Sequence, residues 1–175
     1  MVDAAIAVVA KRGFDGASVD AIANEAGFSI GALYGNFEGK DGLFLAVYDA
    51  HAAWFEETLA GVDVSADADT VVAALFAALD EGREQFLVFL DFWAYAVRKP
   101  ELAGELAQRM AALRDAVTAR LEERERETGR PLPLPAATLA VLLLATWRGL
   151  ALERLADRDA VAADALAPLL APLLG

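Results

Sequence analysis

"SVDAIANEAGFSIGALYGNF", residues 18–37, decides how this chain is read. Ser18 has the side chain of a helix N-cap, Asp20 sits where the positive end of a helix favours a carboxylate, and Val19, Ile22 and Ala26 recur at helical spacing. Gly27 ends that helix. Ser29 caps a second, very short one, "SIGALYGNF", whose Ile30 and Leu33 are expected to face inward and whose Gly31, Ala32 and Tyr34 are expected to face outward. Two short helices joined by a glycine turn, with the small Ala23 where they approach, meet the needs of a helix-turn-helix. Its second helix must fit a groove about 12 Å wide.

The flanking segments are helical too. Ala5, Ile6 and Val9 form one stripe between Val2 and about Arg12, with Gly13 read as a left-handed stop and Phe14 as the anchor of the following loop. Leu43, Val47, Ala50 and Trp54, widened by Phe44, Tyr48, Phe55 and Leu59, mark a long connecting helix from Lys40 to about Ala60. "GVDVSADADT" reads as a loop closed by an Asp69 cap, after which Val72, Leu75, Phe76 and Leu79 resume the helical period. Its Asp63, Ser65, Asp67 and Asp69 imitate the start of a calcium loop without that pattern's glycine and distal Glu, and a plain loop is expected.

Residues 83–98 are apolar on nearly every face, so this helix is expected to be surrounded by others until Pro100 interrupts it. Leu102, Leu106, Met110, Leu113 and Val117 line a long amphipathic helix whose "EERERE" end reads as a solvated face. "RPLPLP" connects it to an Ala/Leu helix ending near Ala156. A last helix is expected from about Asp159, kinked or frayed at Pro168 and Pro172. No strand pattern and no internal repeat is evident.

The totals agree with an all-α chain. Of 175 residues 57% are hydrophobic and 24% charged, enough apolar material for a substantial core, and β-branched residues are sparse beside Ala and Leu. Without cysteine there is neither a disulfide framework nor a thiolate metal site, and the single His51, read as an ordinary boundary residue beside Trp54, removes most zinc constellations. No metal and no cofactor is expected. "MVDAAIAVVAKRGF" lacks the basic start of a signal peptide, and the apolar stretch from Leu134 meets Arg148 before a bilayer span is complete. A buried helix and no membrane are therefore expected there. The net charge of −12 argues against general coating of nucleic acid, so any DNA contact must be local.

From Gly13 through Phe44 the chain resembles the N-terminal domain of the TetR (tetracycline-repressor-like) family of transcriptional regulators, on the landmarks "GF", "AS", "AIANEAGFS", "GALYGNF" and "KDGLF". The resemblance implies a helix-turn-helix, three-helix DNA-binding domain over residues 1–45 and a helical ligand-binding and dimerisation domain over 46–175. It implies a cytoplasmic homodimer, not an enzyme, that binds a palindromic operator in double-stranded DNA and is released by a hydrophobic small molecule. Carried over by position, the DNA-binding residues are Ser18, Ser29, Gly31, Ala32, Tyr34, Asn36 and Lys40, with Tyr34 along the phosphate backbone and Lys40 beside a phosphate. Leu33 and Phe37 are packing residues. Plainer readings stand beside these: Tyr34 as a half-buried tyrosine, Asn36 as a left-handed helix end, Lys40 as a solvated cation.

The departures bear on affinity. Such families usually extend the first helix upstream with basic residues, whereas this sequence begins at "MVDAA", which fits a start truncated or assigned late. Ile30 occupies a position often polar or basic, and Gly39 stands where a capping Ser or Thr is frequent. Through His51 three cations, Lys11, Arg12 and Lys40, face seven carboxylates, a local charge of −4. Weak, salt-sensitive binding is expected. The alternative is a helical small-molecule-binding protein of the same fold with weak or lost DNA affinity.

For a ligand, Phe76, Phe86, Phe89, Trp93 and Trp147 either converge on an apolar cavity or pack as core. Asp91, one turn before Tyr95, either bonds a ligand or points to water; Arg148 meets a ligand carboxylate or an acid of a partner subunit. The Leu and Ala excess of "TLAVLLLATWRGLALERL" and "DALAPLLAPLL" points to dimerisation through the last two helices, with Leu143 and Leu152 on the contact.

Overall fold

Caps and helical periods organise this chain before any long-range contact does. A computed structural model describes residues 2–37, 39–61, 68–162, 167–168 and 171, and among the described residues it contains eight helices and no strand. They are α1 (Val2–Gly16), α2 (Val19–Ala26), α3 (Ile30–Asn36), α4 (Gly39–Gly61), α5 (Ala68–Glu81), α6 (Arg83–Ala96), α7 (Pro100–Thr128) and α8 (Ala136–Ala156). The all-α expectation holds, with a helix-turn-helix followed by a run of longer helices. The side chains of Phe14, Val19, Ala26, Leu33, Lys40 and Leu59 lie outside the described part, as do the calcium-like positions Asp63, Ser65 and Asp67.

Two compact units make up the chain: residues 1–57 with 82–107, and residues 58–81 with 108–175. In the first, α1 packs against α6 and α2, and α2 against α3. Its centre is aromatic. Phe44 of α4 stacks on Phe92 of α6 at 6.4 Å between ring centroids, and Tyr48 lies 5.9 Å from Phe89 and 5.8 Å from Phe92. Phe44 and Phe92 are both 0% exposed, and each contributes about 1.5–3 kcal/mol through burial.

Gly13 breaks α1. At φ 68°, ψ 167° it is not the left-handed stop expected from its place in the sequence but an extended backbone of positive φ, a region open essentially to glycine alone. The chain continues in helical turns to Gly16 beyond this kink. Asp91 of α6 lies beside this site: its Oδ2 is 3.6 Å from where a Cβ on Gly13 would stand, which brings the half-buried carboxylate to the kink of α1.

The second unit joins α5, most of α7 and α8. Leu121 of α7 with Leu139 and Ala140 of α8 form one buried cluster, against which Val117, Leu132, Ala136 and Leu143 pack. The charged end of α7 is more than a solvated face: Glu125 Oε1 accepts from the Leu132 N–H at 2.9 Å and fixes the return of the chain into α8. Pro100 opens α7, where its missing N–H is an orphan in any case.

Three further expectations are corrected. α6 is buried at Phe86, Val88, Phe89, Phe92 and Ala96, but Leu87, Trp93 and Val97 are exposed, because packing partners cover only part of its circumference. α8 is buried on one face alone, at Leu139, Ala140, Leu144, Trp147 and Ala151. Residues 157–162 form turn and bend, with the Asp159 N–H bonded to Asp157 Oδ1 at 2.9 Å, so the last helix does not start near Asp159, while residues 167–168 and 171 are helical. Residues 163–166, 169–170 and 172–175, including Pro172, are outside the described residues.

Gly13→Ala should destabilise the protein by about 1–3 kcal/mol through backbone strain, since the 3.6 Å approach to Asp91 is ordinary contact. Urea unfolding followed by circular dichroism measures it; an unchanged midpoint would refute the assignment.

Candidate nucleic-acid interface

Ser18 sets the first helix of the pair. Its backbone is extended at φ −79°, ψ 155°, its hydroxyl oxygen accepts from the Ala21 N–H at 3.1 Å, and its carbonyl takes the first helical bond from Ile22 at 3.0 Å. At the other end Gly27 is left-handed at φ 68°, ψ 23°. Its N–H reaches the Asn24 carbonyl at 3.2 Å while the Phe28 N–H reaches the Ala23 carbonyl at 2.9 Å, the paired closure of a Schellman motif. Ser29 then caps α3, accepting from the Ala32 N–H at 3.1 Å. Both serine hydroxyls keep a proton to donate outward.

Buried Ile22 and Ala23 give α2 a flat, small inner side toward α1 and α3. α3 leaves Gly31, Tyr34 and Asn36 exposed and Ala32 half-buried, and Phe37 packs half-buried behind it. Tyr34 is 56% exposed. Ile30, expected to face inward, is 47% exposed. Seven residues make fewer than two turns, so the docking of α3 on α2, not the spacing of its own apolar residues, decides which side is covered.

Asn36 does not end the helix in a left-handed conformation. No non-glycine residue among those described has positive φ; Gly39, at φ 70°, takes that part before α4. The Asn36 side chain instead donates from Nδ2 to the Ala32 carbonyl at 2.7 Å, which leaves its Oδ1 and one N–H outward. Lys40 lies in the first turn of α4, with its side chain outside the described part.

Next to Lys40, Asp41 is bonded to α6 and to the turn after it. Its Oδ1 accepts from the Tyr95 hydroxyl at 3.0 Å, and Lys99 Nζ lies 3.3 Å from both carboxylate oxygens and 4.4 Å over the Tyr95 ring. Hydrogen bonding to Tyr95, with Asp41 adding, pushes the Lys99 ammonium above its ordinary pKa. Tyr95 thus ties α6 to α4. Lys11 stands 3.9 Å from Glu25 across exposed surface, a pair worth about 0–1 kcal/mol.

The five ligand candidates fall into separate groups. In the first unit Phe86 and Phe89 are buried with ring centroids 5.7 Å apart, while Trp93 is exposed on another side of α6. His51 belongs with them: it stacks on Phe89 at 4.7 Å and lies 5.6 Å from Trp54, an aromatic-cluster residue rather than a plain boundary one. Trp54 in turn covers Gly82 so closely that a Cβ there would overlap the indole. In the second unit Phe76 of α5 stacks on Trp147 of α8 at 6.0 Å. Arg148 is half-buried on α8.

Sequence reasoning passed over the strongest polar contact beside that stack. Arg154 grips Asp80 through Nε to Oδ1 at 3.1 Å and NH2 to Oδ2 at 2.9 Å, with Arg158 NH2 on the same Oδ2 at 2.6 Å and the Arg154 guanidinium 4.9 Å over Phe76. The Arg154 hydrogen bonds, joined by those of Arg158, lower the Asp80 pKa against the opposing effect of burial. Asp80 and Arg154 lie 74 residues apart, so no spacing signal links them.

Comparison with known proteins places this geometry. Residues 1–47 match the family described as bacterial regulatory proteins, tetR family, and residues 65–174, more than half of the chain, match the C-terminal domain of BetI-type transcriptional repressors. The chain belongs to the TetR family. It is a DNA-binding transcriptional regulator. Among solved structures, a transcriptional regulator of Rhodococcus sp. Rha1 is 30% identical, over 99% of this chain and 91% of that one, with a TM-score of 0.73. The regulator FadR of Bacillus subtilis, solved with stearoyl-CoA, is 18% identical over 99% and 95% at 0.71, and the multidrug binding protein EbrR, solved with imidazole, is 24% identical over 99% and 92% at 0.70; these two share the fold. No curated protein matches the sequence.

Within this TetR-family chain, Asp80→Asn should lower stability by roughly 1 kcal/mol at neutral pH, the upper end for a partly exposed pair with good geometry. Asp80 has a depressed folded pKa, so its contribution is present above the unfolded carboxylate value near 3.8 and is lost as pH falls through the folded value. The gap between wild type and variant should therefore begin to narrow below about pH 4. Urea midpoints at pH 7 and pH 3 test this; a gap at pH 3 as wide as at pH 7 contradicts it.

Proposed function

We propose that this regulator is a homodimeric repressor whose α3 enters the major groove of a palindromic operator and whose release is triggered by an apolar small molecule. The observation that carries the DNA reading is the doubly capped helix pair: Ser18 and Ser29 fix the two helices, and exposed Tyr34 and Gly31 with half-buried Ala32 leave a small outer face with a phenol at its edge. Tyr34 donates to a phosphate oxygen, Lys40 pairs with a second, and Ser18, Ser29 and Asn36 supply further polar contacts. With Asp41 held by Tyr95 and Lys99, the carboxylate closest in sequence to Lys40 does not oppose it.

α8 supports the dimer. Val141, Leu142, Ala145, Gly149 and Leu152 are exposed along it, and the helix is long and apolar enough to cross a membrane by length and composition, with 28% of its most apolar window buried. In a DNA-binding regulator such a face is better covered by a second copy, and Ala145 and Gly149 allow close approach. Leu143 belongs to the intramolecular cluster with Leu121 and Leu139, which leaves Leu152 as the informative position on the contact.

The effector is an apolar molecule at the aromatic groups. Phe86 and Phe89, with His51 and Trp54 of α4, form one such group within the first unit, and Phe76 with Trp147 form a separate one within the second. Stearoyl-CoA in the Bacillus subtilis neighbour accords with an apolar effector. Displacement of Trp54 or Phe89 tilts α4, whose first turn carries Lys40, and changes the separation of two reading heads that must match half-sites about 34 Å apart. Effector and operator then weaken each other by one common factor. A chromosomal regulator of this kind works in the cytoplasm.

Titration of duplexes selected from a random-sequence pool, against excess random DNA, tests the reading; absence of any enriched sequence refutes it. Tyr34→Ala should weaken binding about tenfold or more on all sequences alike, as expected for a lost hydrogen bond to a charged group. Lys40→Ala should reduce the slope of log K against log salt by about 0.9 per subunit. Leu152→Glu should sediment as a monomer at micromolar concentration where the wild type is a dimer; a monomeric wild type would remove the dimer.

A further inference from the structure

α3 carries an exposed aliphatic side chain among groups that are already engaged. Ile30 is 47% exposed and Phe28, in the turn before it, 49%. From Ile30 to Asn36 there is no charged residue. The Ser29 hydroxyl oxygen is occupied by the Ala32 N–H, and one Asn36 N–H by the Ala32 carbonyl. Bidentate reading of guanine takes Arg or Lys and of adenine Asn or Gln, and none of these stands between Ser29 and Gly35. What an aliphatic group can distinguish in the major groove is the C5-methyl of thymine, which cytosine lacks.

We propose that Ile30 is a specificity-determining residue that reads a thymine through its C5-methyl group in each half of the operator. This rests on α3 as the groove-entering helix. Gly31, exposed beside Ile30 with only Ser29 Oγ, at 3.9 Å, near a would-be Cβ, has no side chain to hold the helix off the bases. Ile30 therefore reaches the groove floor, and its contact with the methyl removes apolar surface of both partners from water. Three cations against seven carboxylates through His51 make phosphate attraction small, so this contact carries more of the discrimination than it would on a basic reader.

The full-length protein is titrated against its selected operator and against duplexes in which each dT of a half-site is singly replaced by deoxyuridine, which keeps the Watson–Crick pair and loses only the methyl. Wild type should lose about fourfold at one dT position per substituted half-site, the fold-change of ~0.8 kcal/mol for one buried carbon group. Ile30→Ala should bind dT and deoxyuridine duplexes equally with its salt slope unchanged, and Ile30→Val should recover part of the difference. Ile30 is exposed, so its variants are compared with the fold intact by circular dichroism. A wild type with no deoxyuridine-sensitive position, or the same sensitivity in Ile30→Ala, overturns the role of Ile30 while leaving the regulator standing. A pool from which nothing is enriched overturns both.

Discussion

The packing of α6 against α1 and α4 is the constraint on which the reading head depends. α2 and α3 are too short to stand alone, since isolated helices below about 12–15 residues are marginal in water. α2 holds its place against α1, α3 packs on α2, and α1 is held in turn by α6. The stacked Phe44 and Phe92, with Tyr48 against both Phe89 and Phe92, tie α4 to the same helix. The kink at Gly13 is the local consequence: the backbone leaves its helical path where Asp91 of α6 approaches.

That arrangement also answers how an acidic chain reads a polyanion. Two of the carboxylates of the first unit are paired within it, which lowers the charge that a net of −12 sets against DNA. Asp41 is bonded to Tyr95 and Lys99, and Glu25 lies near Lys11. The outer face of α3 is left neutral, with a phenol, an amide, serine hydroxyls and an aliphatic group. Such a face gains little from counterion release and relies on fit.

In the second unit a different logic applies. Phe76 and Trp147 stack, and the Arg154 guanidinium lies over Phe76 while gripping Asp80, so apolar and ionic contacts fix α5 to α8 at one place. Because α8 is anchored there on one face, its Val141 to Leu152 face remains outward and apolar. The apolar composition of α8 thus covers two sides, one packed within its unit and the other exposed.

The order of helices, their caps and the helix-turn-helix were legible in the sequence because they are local. Ser18 and Ser29 bond N–H groups three residues ahead, Gly27 closes a turn with carbonyls three and four residues behind, and the apolar period needs only the helix itself. Tertiary structure alone decided what depends on distant partners. Ile30 has the hydrophobicity of a core residue, and only the docking of α3 on α2 leaves it outside. Gly13 announces a break, but the sequence does not say that Asp91 of α6 lies beside it. Asp41 meets Tyr95 54 residues on, and Asp80 meets Arg154 74 residues on, pairings that no local spacing encodes because burial and ion pairing are properties of neighbours in space.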